Sequence, residues 1–434
     1  MLVHYFHLAL RSFGRNRVLT ALMVLTIALG IGTSMTTITV YHVLSGDPIP
    51  HKSSRLFHVQ LDPEPVARYR PGIEPLGRLT RLDAEALLAQ ARAPRQAMMA
   101  PGTGAIAVDG SATRPFKARL RYTTADFFPM FDVPFLHGRG WSAEDDAART
   151  RTAVISRELN ERLFGGRDST GAGIRIDGHA LRVAGVVDGW APKPKFYDSE
   201  SGHFDGEEHV FVPLSTALDL GLEHFGSSHC YGDVPVNDTR ALNAPCVWLH
   251  YWVELADAAD AGDYLAYLGN YSAQQQAAGR FERPANVRLR DVRQWLDHRR
   301  AVPGDVRMQL WLAMGFLVVC LINTVGLLLA KFLRRSGEIG VRRALGASRL
   351  EIFKQYMVEA GTIGVAGGAL GLVLASVGLW AVRQRPASYA SLAHMDLAML
   401  LLTFVLALCA SLLAGLLPAW KAMQVAPAIQ LKSQ

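Results

Sequence analysis

The sequence predicts an α-helical membrane protein with four transmembrane helices and a large α+β extracytoplasmic domain of two lobes. Three observations carry that expectation. First, the 434 residues include 45 Lys and Arg and 38 Asp and Glu, yet residues 18–46, 308–330, 360–382 and 397–420 contain none of the four. The rest of the chain is about 25% charged, the ordinary soluble value. Each charge-free window can supply the roughly 20 apolar residues that cross a bilayer core as a helix. Second, Lys and Arg crowd one set of short loops and are sparse in the other. Third, the long stretch between the first two windows alternates apolar and polar residues between turn signals. This distribution excludes a purely soluble enzyme and a many-helix secondary transporter.

Residues 1–17 open the chain with Leu2, Tyr5, Phe6, Ala9, Leu10 and Phe13 at spacings of three and four. That pattern fits a cytoplasmic interfacial helix. The first span, 18–44, reads as a retained anchor. Its apolar stretch exceeds the usual signal-peptide core of about 7–15 residues, and no small-x-small cleavage site follows. Ser45, Gly46, Asp47 and Pro48 stop it.

The outer domain, 45–307, begins with strand Leu56–Gln60 and a helix from Thr80 that turns Ala84, Leu87 and Leu88 inward. Strands are expected at 106–108, 118–122, 152–155, 173–176, 181–187, 206–214 and 247–255. A helix is expected at 157–164, stopped by Gly165 and Gly166. Asp177-Gly178 joins two of the strands as a hairpin. A polar insertion occupies 219–245, and 288–300 reads as helix. Pro303, Gly304 and Asp305 precede the second span, 308–333. A cytoplasmic loop (334–355), a third span (356–382), a short outer loop (383–396), a fourth span (397–417) and a cytoplasmic tail (418–434) complete the chain.

Orientation follows from the short loops, because long domains translocate regardless of charge. One side carries Arg11, Arg15, Arg17, Lys331, Arg334, Arg335, Arg342, Arg343, Arg349, Lys354, Lys421 and Lys432. The other short loop offers Arg383 and Arg385. Both termini are therefore expected in the cytoplasm and the large domain outside. The net charge of +7 largely reflects this cytoplasmic excess, so no nucleic-acid partner is inferred.

Cys320 and Cys409 fall inside spans and read as buried apolar side chains. Cys230 and Cys246 lie outside, where oxidising conditions allow a disulfide; two free thiols remain open. So does a zinc site of His224, His229 and Cys230 beside Asp205, Glu207 and Glu208, although no recognised ligand spacing is present. The chain has no G-x-x-x-x-G-K-[ST], H-E-x-x-H or G-x-S-x-G motif. No nucleotide-hydrolysing or other catalytic site is expected in it. The spans themselves offer no ionisable side chain of the kind that lines ion pathways. Asn323 beside Thr324 suits an interhelical hydrogen bond, and Gly364, Gly367, Gly368 and Gly371 suit close helix packing, within the chain or at a subunit interface.

The loop between the second and third spans is more specific. Ser336 can cap a short helix, with Glu338 in its first turn and Arg342 and Arg343 in its last. Gly346 is a natural residue just past its end. Ser348 starts another helix, and Glu351 completes a capping box. The result is a short capped helix, held by two spans at the cytoplasmic face, with the dimensions of a docking element.

This loop, EIGVRRALGASRLEIFKQYMVE at residues 338–359, resembles the signature of the MacB/FtsX permease family of ABC transporters. Ala9-Leu10-Arg11, Asn16-Arg17, Leu19-Thr20 and Gly30-Ile31 are similar to that family's entry into its first span. Asp126-Phe127-Phe128, Gly138-Arg139, Val154-Ile155-Ser156, Leu163-Phe164-Gly165 and the run Val183-Ala184-Gly185-Val186-Val187 resemble its MacB-type periplasmic core. Pro418-Ala419-Trp420-Lys421-Ala422 and Pro427 resemble its ending.

The resemblance implies a non-catalytic permease of the bacterial inner membrane. A separate ATPase, carrying ATP and Mg, would grip a coupling helix at residues 338–345, with Glu338, Ile339, Gly340, Arg342, Arg343, Leu345 and Gly346 as its coupling residues. Four spans make half of a typical unit, so a second copy or paralogue is expected, among membrane lipids. A periplasmic adaptor and an outer-membrane channel complete the expected export assembly. Release of lipoproteins as in Lol-type complexes, and FtsX-like control of envelope hydrolases without transport, are the alternatives within the family.

Overall fold

The computed structural model describes residues 17–424, apart from 69, 71, 109–113, 235–237 and 386–388, together with Tyr5 and Phe13. The expected interfacial helix and tail end lie outside the described residues. The chain divides into two compact units, Gly46–Ala301 and the combination of Met1–Ser45 with Val302–Gln434. The first span is α1 (Arg17–Ser45).

The outer unit starts with β1 (Leu56–Gln60), β2 (Leu79–Thr80), α2 (Arg81–Gln90), β3 (Arg95–Ala107), β4 (Phe116–Thr123), α3 (Phe127–Met130) and β5 (Phe135–Gly138). Then come α4 (Ala143–Ala148), β6 (Thr152–Ser156), α5 (Arg157–Phe164), β7 (Gly173–Ile176), β8 (His179–Val187), β9 (Val210–Pro213) and α6 (Leu214–Asp219). Finally come β10 (His229–Cys230), β11 (Cys246–Glu254), α7 (Ala261–Ala277), β12 (Arg288–Asp291) and α8 (Val292–His298). The two lobes expected from the sequence share one continuous sheet in the order β12-β1-β11-β3-β4-β9-β6-β8-β5, with β2 and β10 added on β11. Pairing is antiparallel except for β4 with β9 and β6 with β8. Because β7 pairs with both β8 and β3, six strands from β3 round to β7 close on themselves.

Both faces of this sheet are covered. Along β6, Ala153 and Ile155 enter one hydrophobic cluster and Val154 the other. Along β9, Val210 and Val212 oppose Phe211 in the same way. Successive strand side chains point to opposite faces, so a strand buried on both sides reads as a solid apolar run. Thr80 and Ser156 accept hydrogen bonds from the third backbone N–H of α2 and α5. Asp177 and Gly178 both take positive φ between β7 and β8, as a two-residue hairpin of the primed type requires.

Three sequence expectations need correcting here. Residues 288–291 are not helical: they form the edge strand β12 on β1, and Asp291 then caps α8 reciprocally with Gln294. The strand foreseen at 106–108 is the tail of the much longer β3. The strand foreseen at 206–214 ends at Pro213, because Leu214 opens α6.

The membrane unit adds α9 (Gly304–Leu333), α10 (Ser336–Ala344), α11 (Arg349–Arg383) and α12 (Leu397–Met423) to α1. Of these, α1, α9, α11 and α12 are long and apolar enough to cross a bilayer. At 1.5 Å per residue, α11 extends about 50 Å, well beyond a hydrocarbon core of about 30 Å. Asp396 caps α12 through the Met399 N–H at 2.7 Å. That helix runs past 417, carrying Pro418 inside it.

Candidate coupling site in the membrane unit

The helix α11 packs against both α1 and α12, and its glycines explain how. A Cβ on Gly367 would lie 2.7 Å from Ile27, and one on Gly371 3.1 Å from Ile31, both in α1. A Cβ on Gly364 would overlap the Ser411 side chain, and one on Gly368 would lie 2.8 Å from Ala407, both in α12. The two G-x-x-x-G pairs thus serve two neighbours, and both lie within this chain. Asn323, by contrast, is exposed on α9, and among the described residues no interhelical bond of the expected kind involves Thr324. Its hydroxyl donates to the Cys320 carbonyl one turn earlier at 2.8 Å. Cys320 is buried as expected, but Cys409 is exposed on the outside of α12.

At the other end of the bundle lies α10. Ile339 and Gly340 are its buried residues, and Ile339 joins a cluster with Phe332, Ile352 and Tyr356. The Phe332 and Tyr356 ring centroids are 4.0 Å apart. The opposite side presents Val341 and Leu345, 52% and 83% exposed, beside the exposed Glu338 and Arg342. Arg342 donates to Gln355 Oε1 at 2.8 Å, tying the far end of α10 to α11. Gly346 has φ of 101°, a left-handed position that suits glycine. Ser348 and Glu351 make a reciprocal capping box, with Glu351 N–H donating to Ser348 Oγ and Ser348 N–H to Glu351 Oε2.

Ser336 does not cap α10. Only Arg334 and Arg335 separate it from α9, and both sit near helical conformations, leaving no extended residue to act as a side-chain cap. Arg335 takes the cap position without a side-chain bond, and Ser336 is already the first helical residue.

The expectation that no ionisable group enters a span also fails. Lys331, in the last turn of α9, and Glu359, inside α11, are fully buried with Nζ 2.7 Å from Oε1. Lys331 Nζ also donates to Thr20 Oγ1 of α1 at 3.3 Å. Each residue adjoins a charge-free window by one position, which is the signal that could have found them.

In the outer unit, Cys230 and Cys246 are joined by a disulfide across the β10–β11 ladder. Among the described residues, no group of three His, Cys, Asp or Glu is placed to hold a metal ion. A buried charge network, invisible in the sequence, centres on Arg121 of β4. Its Nη2 donates to Asp198 Oδ2 at 2.6 Å and to Glu208 Oε1 at 2.5 Å. Lys195 and Tyr197 also donate to Glu208. Burial alone would raise both acids. The guanidinium wins, holding Asp198 well below the usual carboxylate range and Glu208 at about 2. A cavity of about 700 Å³ lies between α2, α4 and α6. Burial pushes Asp146, on its wall, up to about 6, although Ala125 N–H and the Trp141 indole donate to that carboxylate.

Two family descriptions match: the MacB-like periplasmic core domain over residues 20–270 and the FtsX-like permease C-terminal over 311–427. The pyoverdine export ATP-binding/permease protein PvdT of Pseudomonas aeruginosa is 25% identical over 370 residues, covering 83% of this chain and 48% of that protein. The macrolide export ATP-binding/permease protein MacB of Bdellovibrio bacteriovorus is 27% identical over 240 residues, 55% of this chain and 32% of that one. The chain thus spans about half or less of the length of these curated relatives. Among solved structures, the periplasmic region of MacB from Actinobacillus actinomycetemcomitans aligns at 14% identity with a TM-score of 0.37, covering 57% of this chain and 94% of that one. The extracellular domain of the ABC-type transporter YknZ from Gram-positive bacteria aligns at 13% with a TM-score of 0.35, covering 54% and 100%.

Proposed function

The chain belongs to the MacB/FtsX-type permease family, and from that premise we propose that it transmits the motion of a separate ATPase to its periplasmic domain for export of substrate from the periplasm or inner membrane. Membership makes it a multi-pass inner-membrane permease with a large periplasmic domain, and the proposal assigns it no catalytic step. The basic short loops support cytoplasmic termini, so that α10 meets the ATPase. The partners follow the same reading: an ATPase subunit with bound ATP and Mg, a second permease copy or paralogue, and an adaptor with an outer-membrane channel. The relatives' names speak of pyoverdine and of macrolides; the proposal extends to export and to no particular cargo.

One observation carries it. The helix α10 buries Ile339 in the bundle while Val341 and Leu345 stand exposed beside Arg342. An apolar pair on an exposed short helix joined to two spans is suited to enter a groove, where a few buried side chains carry most of the binding energy. Leu345→Asp is therefore expected to weaken association with the co-purifying ATPase about thirty-fold, with no change in the melting of the chain itself. Unchanged association in that variant, measured by titration in nanodiscs, contradicts the docking assignment.

A further inference from the structure

The buried pair at the base of the bundle is poorly explained by stability. Taking a lysine and a glutamate out of water costs several kcal/mol per ion before their attraction repays it, and an apolar pair of similar volume is often as good. Its position is more informative. Lys331 belongs to the last turn of α9, Glu359 to α11, and Lys331 also reaches Thr20 of α1. The Phe13 ring lies 5.6 Å from the same Nζ. On the other side of the α9–α10 joint, Arg335 Nη1 stands 3.5 Å from the same Glu359 Oε1 that Lys331 holds at 2.7 Å. Arg335 is the cap residue of α10, so any tilt of α10 moves its guanidinium directly, whereas Lys331 travels with α9.

One carboxylate oxygen therefore faces two cations, one close and one loose, on opposite sides of the hinge between span and coupling helix. We infer that Glu359 is a positioning residue at which displacement of α10 is converted into displacement of α9 against α11: Arg335 closes on the carboxylate as Lys331 is released, and the reverse. Such an exchange has two discrete arrangements, the physical requirement for an element that carries coupling. The inference rests on the reading of α10 as the docking helix.

The test uses the full chain with the ATP-hydrolysing subunit that co-purifies with it, in lipid nanodiscs. Spin labels at positions 311 and 377, both exposed in the membrane unit, report the separation of α9 and α11 by electron paramagnetic resonance. Glu359→Gln and Lys331→Met are expected to retain ATPase association while the ATP-dependent distance change falls about five-fold. Lys331→Arg, which keeps the charge, restores it. The double variant Lys331→Met with Glu359→Leu removes both members of the fully buried pair and leaves only Arg335, which is partly exposed, without its carboxylate; it is expected to fold, with retained partner binding as the check, and to be equally uncoupled. Parental distance changes in that folded, partner-bound double variant overturn the inference. If the unaltered chain binds no ATPase or shows no ATP-dependent change, the docking reading fails and the inference falls with it, a result distinguishable because it needs no variant.

Discussion

Arg121 sets the charge balance of the outer unit through a single side chain. It is wholly buried between Asp198 and Glu208, with its guanidinium 5.1 Å from the centroid of the Tyr197 ring. Glu208 keeps Lys195 and Tyr197 if the arginine is removed. Asp198 keeps the Ser201 hydroxyl and the Glu200 N–H, but loses its guanidinium partner. Arg121→Met should therefore cost about 3–5 kcal/mol, the usual penalty for leaving one side of a buried ion pair. Urea unfolding at neutral pH checks this. Adding Asp198→Asn to Arg121→Met is expected to recover part of the loss, because an amide in that place carries no charge to strand. A double variant no more stable than the single one would show that packing, not charge, accounts for the cost.

Among the elements, β10 and β11 show what the sequence could and could not disclose. The Cys230–Cys246 bond closes a separation of 16 residues across a ladder whose β10 side is only two residues long. In the chain-entropy account a loop of that size contributes about 3 kcal/mol. Cys230→Ser combined with Cys246→Ala should lower the urea unfolding free energy by about that amount. A reducing agent should produce the same shift in the parent and none in the variant; an unchanged parent under reduction would contradict it. The hairpin at Asp177-Gly178, the Ser156 cap and the four apolar helices were legible, because each signal is local in sequence. The strand β11 is buried at every position, so it carries no alternation, and its exact ends came from pairing rather than pattern. Residues 288–291 lost their helical reading to the open edge of β1, a demand made by residues far away in the chain. The coupling loop was legible as a short helix ended by Gly346 and followed by a second helix that the Ser348–Glu351 box caps. Ser336 misled because the helix start depends on how few residues follow α9. Lys331 and Glu359 were hidden for a related reason: each looked like the polar border of an apolar window until the fold brought the two borders together.

At the scale of the whole molecule, Gly46–Ala301 forms a compact unit with hydrophobic clusters on both sheet faces. Its backbone partners lie within that stretch, so residues 46–301 secreted to an oxidising compartment should fold alone and melt cooperatively. The same segment should be sensitive to mild acid. His58 and His250 are buried, and burial holds His58 well below its ordinary value and His250 at about 4. His250 faces Asp198, whose carboxylate Oδ1 is 3.6 Å away, but burial outweighs that attraction, and Arg121 and Arg78 oppose protonation further. Around His58, the charges of Arg299, Arg290, His250 and His298 act in the same direction. Unfolding frees both imidazoles to titrate near 6.5, so the unfolded chain binds more protons between about 4 and 6.5. Stability is therefore full above that range and falls as pH drops through it, by at most about 1.4 kcal/mol per pH unit for each proton. Asp146 opposes this trend, since its raised carboxyl takes up a proton earlier in the folded state than in the unfolded one. Burial lowers His203, His224 and His298 in the same direction and raises Glu207 as it does Asp146; five histidines against two carboxyls leave a net loss as pH falls from about 6.5 toward 5. Urea titrations of the 46–301 segment at several pH values check the sign. A midpoint that stays level or rises from pH 7 to 5 would show that His58 and His250 are already protonated in the folded state, and that their burial does not set their charge.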